Sequence, residues 1–98
     1  MKKIILNGHE YSIEKNYKDS VNEEEIQELY TEYFEEFDYL LGDYSYNKLR
    51  LKGYYDSNNK KTKSYNDIKT HEKYLVDFCA TECPYFLLKK INKAWKNT

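Results

Sequence analysis

The sequence predicts a single α+β domain in which a mainly antiparallel sheet carries two helices, in the order β-β-α-β-β-α-β. Three observations lead there. Asn7-Gly8 separates two short strand-like runs, a helical stripe runs from Ile26 to Phe37, and residues 48–55 alternate with period two. Ninety-eight residues without a repeat or a Pro/Gly/Ser linker suit one domain. Its core spans about residues 2–91, followed by a basic tail at 92–98.

The elements follow in order. Lys2 to Leu6 reads as an apolar strand, and Asn7-Gly8 turns it, since both residues tolerate positive φ. His9 to Glu14 returns, with Tyr11 and Ile13 on one face. Asn22 is placed to cap the first helix, with Glu25 closing a capping box and Val21 and Ile26 in the staple positions. Ile26, Leu29, Tyr30, Tyr33, Phe34 and Phe37 form its apolar stripe, opposite a row of glutamates. Glu35 and Glu36 sit at the wrong end of the helix dipole, so a basic neighbour is expected there, inside the fold or on a partner. Residues 38–44 and 48–55 read as a hairpin turning at Ser45-Tyr46-Asn47. Leu49, Leu51 and Gly53 point one way; Lys48, Arg50, Lys52 and Tyr54 point the other. Residues 56–63 form a polar loop. A second helix starts near Thr70 with Tyr74, Leu75, Phe78 and Cys79 on its apolar face, and stops before Pro84. Residues 84–91 form a largely buried strand.

Composition narrows the class. Twelve Tyr, four Phe and one Trp provide the apolar area for a packed core that a mean hydropathy of −1.01 would not suggest. No stretch approaches the roughly 20 apolar residues of a membrane span, and the N-terminus lacks the apolar region of a signal peptide. The expectation is a cytoplasmic, monomeric protein with no membrane association. Net charge is −1, but residues 1–47 hold four Lys against twelve Asp and Glu, whereas residues 48–98 hold twelve Lys and Arg against five. That asymmetry suits either a dipolar surface with charged partners or an acidic helix neutralised by basic strands.

Three stretches, "NEEEI", "DYLLGDYSYNKLRLKGYY" and "YLVDFCATECPYFLLKK", resemble the YutD-like family of small proteins from Gram-positive bacteria and their relatives. The middle stretch, with Gly42-Asp43 and Leu49 to Tyr55, is the most specific, and the Cys79 to Cys83 spacing before Tyr85-Phe86 supports it. The chain departs from the family pattern at Tyr44, Asn47, Lys48 and Glu82, where Trp, Gly, Gln and Gly are usual. The resemblance implies a compact α+β domain and brings no established activity.

Candidate sites are few. Arg50 is the one arginine among sixteen basic residues. Its planar fork suits a bidentate carboxylate or phosphate. It is read either as an internal clasp to Asp43 or as the anchor of a binding face made of Tyr44, Lys48, Arg50, Lys52 and Tyr54. Cations with aromatics on strands suit RNA or a ribonucleoprotein, although no RNA-binding signature is present. The alternative is a protein–protein adaptor that uses an acidic helix face at Glu28, Glu32 and Glu35. Cys79 and Cys83 are weak metal or redox candidates, because one cysteine pair lacks the four ligands of a structural zinc site. They read more simply as buried thiols. His71 reads as exposed and has no nucleophile nearby in sequence. No catalytic constellation emerges, so no enzyme and no cofactor are expected.

Overall fold

The computed structural model describes residues 2–78 and 83–91. Five strands, β1 (Lys3–Leu6), β2 (His9–Tyr17), β3 (Tyr39–Ser45), β4 (Lys48–Tyr54) and β5 (Tyr85–Lys90), form one sheet in the order β1-β2-β5-β3-β4. Every neighbouring pair is antiparallel. Helices α1 (Glu23–Leu29) and α2 (His71–Phe78) lie on opposite faces. The expected element order is therefore present.

The position of β5 follows from its composition. Phe86, Leu87 and Leu88 are all buried, which only a central strand covered on both faces allows. Alternation sends Phe86 and Leu88 toward α1 and Leu87 toward α2. The larger core, on the α1 face, includes Leu6, Tyr11, Ile26, Leu40, Phe86 and Leu88; the smaller joins Leu41, Tyr54 and Leu87 beneath Tyr74 and Leu75. Gly42 and Gly53 hold the aromatic packing tight. A Cβ at Gly42 would come within 2.1 Å of the Phe86 ring, and one at Gly53 within 2.2 Å of Phe37.

Both hairpins turn on two residues in the left-handed region. Asn7 and Gly8 have φ of 53° and 83°, as their sequence predicts. At the other hairpin Tyr46 and Asn47 take φ of 55° and 62°. Strand β2 runs on to Tyr17, past the expected end at Glu14, because a bulge between Ile13 and Lys15 restores its register with β5.

The first helix is shorter than its stripe. Asn22 caps it, its side chain accepting the Glu25 N–H at 3.2 Å, but Tyr30 is already extended with ψ of 130°. A 3-10 turn (Glu32–Glu36) follows. Tyr30 is buried, and its hydroxyl meets that of Tyr11 at 2.7 Å, so tertiary packing fixes where the chain leaves the helix. Ile26, Tyr30 and Phe37 still face the core, whereas Leu29 and Tyr33 are 41% and 65% exposed. The expected basic tail at 92–98 lies outside the described residues.

Candidate functional site

Register decides the basic–aromatic face first. Asp43 is paired with Arg50 across β3 and β4, Leu41 with Lys52, and Tyr44 with Leu49. Lys48, Arg50 and Lys52 therefore share the α2 face of the sheet, and Tyr44 lies on the other face. There its hydroxyl donates to Glu25 Oε1 at 2.5 Å. Burial, reinforced by that acceptor, pushes the Tyr44 pKa up to about 12. Tyr54 does point with Arg50, but it is fully buried. Of the five residues proposed as one surface, the structure brings together three, Lys48, Arg50 and Lys52.

Arg50 is engaged. Its Nε and Nη2 donate to the two carboxylate oxygens of Asp43, each at 2.9 Å, and Nη2 also donates to the Phe78 carbonyl at 3.1 Å. Asp43 is buried, and its hydrogen bonds push the Arg50 pKa further up. The internal clasp is the arrangement present, and it ties the last turn of α2 to the hairpin. Lys52 lies over the rings of Tyr54 and Tyr74, at 5.0 and 5.7 Å, and burial lowers its pKa. Lys48 stays exposed. The Tyr54 hydroxyl is buried without a hydrogen-bond partner among the described residues.

The acidic candidates divide as well. Glu35 is half-buried, 3.6 Å from His9 Nε2, while its carbonyl accepts from the Lys90 ammonium. Glu36 pairs with Lys61 at 3.3 Å. The basic neighbours expected near Glu35 and Glu36 are thus inside the fold. Glu28 and Glu32 are exposed, like Glu23 and Glu24, and none of the four has a cationic partner among the described residues. Leu29 and Tyr33 stand out beside them.

Two other readings change. His71, expected to be exposed, is buried: its Nδ1 lies 2.7 Å from the Ile68 carbonyl and its Nε2 2.9 Å from the Lys15 ammonium. Nδ1–H therefore donates to the carbonyl and Nε2 accepts from lysine, a structural role reached through the β2 bulge. Cys83 is buried, but as half of a disulfide and not as a thiol. A coordinating cysteine must be a free thiolate, so the bond removes Cys83 from the candidate ligands. Cys79 lies outside the described residues. Among those residues no three His, Cys, Asp or Glu side chains converge as a metal site would.

Two grooves remain. One, of about 570 Å³, lies between the Lys18-Asp19 bend and the Tyr46-Asn47 turn, with Val21, Glu25 and Pro84 in its wall. The second, of about 410 Å³, runs beside Leu51 and Gly53, with Tyr33 and Tyr65 at its rim and Lys61 and Lys63 near them.

A family model described as "Putative antitoxin YutD-like" matches residues 5–89. The chain belongs to the YutD-like family. It is 37% identical over 90 residues to "Putative antitoxin YutD" of Bacillus subtilis strain 168, spanning 92% of this chain and 99% of that protein. The solution NMR structure of YutD from B. subtilis matches with a TM-score of 0.79 at 35% identity, covering 95% of this chain and 84% of that one.

Departures from the YutD-like pattern now have places in the fold. Asn47 takes the left-handed conformation that glycine would, which asparagine tolerates. Tyr44 uses its hydroxyl on Glu25, a bond that ties the β3-β4 hairpin to α1. Glu82 lies outside the described residues. Tyr65 was not legible as part of a groove, since it is one aromatic in a polar loop whose sequence carries no period.

Proposed function

We propose that this YutD-like domain is a non-enzymatic binding module that docks a basic surface of a partner protein on the acidic patch of α1 and the following 3-10 turn. One observation carries the reading. The single arginine is consumed by Asp43 and the Phe78 carbonyl, whereas Glu23, Glu24, Glu28 and Glu32 have no cation among the described residues and lie on the same α1 and 3-10 segment as exposed Leu29 and Tyr33. Unneutralised carboxylates around apolar side chains supply steering at the rim and burial at the centre, as protein interfaces do. The antitoxin description of the relatives supports a protein as the partner, because neutralising a toxin requires holding it.

The test is a Glu28→Lys/Glu32→Lys variant, whose circular dichroism and melting temperature should match the parent. Partner proteins captured from nuclease-treated host extract are identified, purified and titrated. The variant should lose at least about tenfold in affinity, with the remaining binding less salt-dependent. Undiminished affinity in the variant would overturn the proposal. So would capture that occurs only from extract not treated with nuclease and is lost in Lys48→Glu, which would move the function to the basic face of β4.

A further inference from the structure

The sheet has two edges, and they are finished differently. At β1 the outward carbonyl of Ile5 accepts from the Gln27 side chain at 2.9 Å, so α1 covers that edge. At β4 the register pairs Lys48 with Ser45, Arg50 with Asp43 and Lys52 with Leu41 across a two-residue turn. Those residues direct their N–H and C=O groups to β3, which leaves the groups of Leu49, Leu51 and Gly53 pointing outward. None of these three has a backbone bond to any other described residue.

The same edge already makes one parallel bridge a step further on. Tyr55, the next outward position, donates its N–H to the Asn66 carbonyl at 2.7 Å and accepts from the Ile68 N–H at 2.9 Å. This parallel bridge at Tyr55 and Asp67 stops where the chain turns away. Beyond it the second groove opens along Leu51 and Gly53, between the Tyr33 and Tyr65 rings. An extended chain laid there would continue the sheet in the plane of β4.

We infer that the open β4 edge is a docking site for an extended acidic segment of a partner protein, added to the sheet as a sixth strand. Side chains beside the edge define that segment. Lys48 and Lys52 flank it on the α2 face, and half-buried Leu49 and Leu51 flank it on the α1 face. The complementary strand alternates acidic with apolar residues, because a strand presents alternate side chains to opposite faces. A second copy of this chain fits poorly. Two β4 edges side by side would bring their Lys48 and Lys52 side chains together, and like charges across a strand pair are unfavourable. The lysines thus repel self-pairing while admitting an acidic strand, consistent with the use of charge to control sheet edges. The inference shares only the Tyr33 rim with the acidic-patch proposal; it uses the opposite charge and the backbone of β4, so Lys48→Glu and Glu28→Lys/Glu32→Lys test the two separately.

The experiment is amide hydrogen exchange by NMR on the full chain, with a capped Val-Glu-Val-Asp-Val-Glu-Val peptide as probe. In the free protein the Leu49 and Leu51 amides should exchange quickly, while those of Lys48, Arg50 and Lys52 are protected. Peptide at about ten times its Kd should slow exchange at Leu49, Leu51 and Gly53 by about tenfold. A peptide N-methylated along its pairing edge should give no slowing, and Lys48→Glu should weaken the acidic peptide about threefold or more. The inference is overturned if the peptide at millimolar concentration leaves those three amides unchanged, or shifts signals only elsewhere. It is equally overturned if the amides are protected in the free protein and sedimentation shows a dimer, which would make a second copy the occupant.

Discussion

Replacing Arg50 with methionine removes the guanidinium and keeps most of the side-chain volume, so it isolates the clasp. Breaking a fully buried ion pair costs about 3–5 kcal/mol, because one charge is left desolvated and alone. Here the two partners are unequal. The Asp43 side chain is 2% exposed, with both oxygens on the guanidinium, but the Arg50 side chain is 41% exposed. Solvent screening of the arginine lowers the expected loss to about 2–3 kcal/mol. For a domain of this size that corresponds to a fall in Tm of about 10–20 °C. Asp43→Asn should cost less, about 1–1.5 kcal/mol, since it leaves an acceptor in place and a guanidinium that reaches water. Urea unfolding of both single variants and the double variant gives the coupling directly. It should exceed about 1 kcal/mol and survive high salt, unlike that of the exposed Lys73–Asp77 pair. An Arg50→Met variant within about 0.5 kcal/mol of the parent would refute the reasoning. The guanidinium would then be free for a ligand, and the hairpin face would regain its claim as the binding surface.

Other consequences follow from the same packing. Tyr11→Phe removes one side of a buried hydroxyl pair and should cost about 1–2 kcal/mol, whereas Tyr54→Phe, which deletes a hydroxyl with no partner among the described residues, should be neutral or slightly stabilising by denaturant unfolding. Gly42→Ala should destabilise by at least about 1–3 kcal/mol in the same assay, since its Cβ would lie 2.1 Å from the Phe86 ring beneath it. Tyr46 is fully exposed at φ 55°, so Tyr46→Asn should raise stability by about 0.5–1 kcal/mol; a loss of stability would show that the ring makes contacts the fold needs. Alkaline pH is a further test. Burial raises the pKa values of Tyr44 and Tyr55 from 10.0 to about 12, and also those of Tyr11, Tyr30, Tyr54 and Tyr74, so the folded state holds phenolic protons that the unfolded state releases. The stability this contributes is intact below pH 10 and falls as pH rises from 10 toward 12. Tyrosinate absorbance should therefore appear for these residues together with unfolding, and full ionisation with native circular dichroism retained at pH 12 would contradict the burial.

What depends on neighbours along the chain is legible in the amino-acid order. It marks the strand and helix order, the Asn7-Gly8 turn, the Asn22 cap, and the division of β4 into a leucine side and a lysine side. It also offered the Asp43–Arg50 clasp as one of two readings, because a hairpin register can be counted from its turn. Tertiary structure decided the rest. It stopped α1 at Leu29, where the Tyr30 hydroxyl meets Tyr11 nineteen residues away, and thereby turned Leu29 and Tyr33 outward. It placed Tyr44 under α1 and Tyr54 under α2, splitting a set of residues that look contiguous in sequence. It buried His71 against a lysine that the β2 bulge redirected, and it left β4 at the edge of the sheet by seating β5 at the centre. Periodicity reports which side chains share a face, but not which faces meet; that depends on strand order and on long-range contacts between aromatic rings, which carry no local signature.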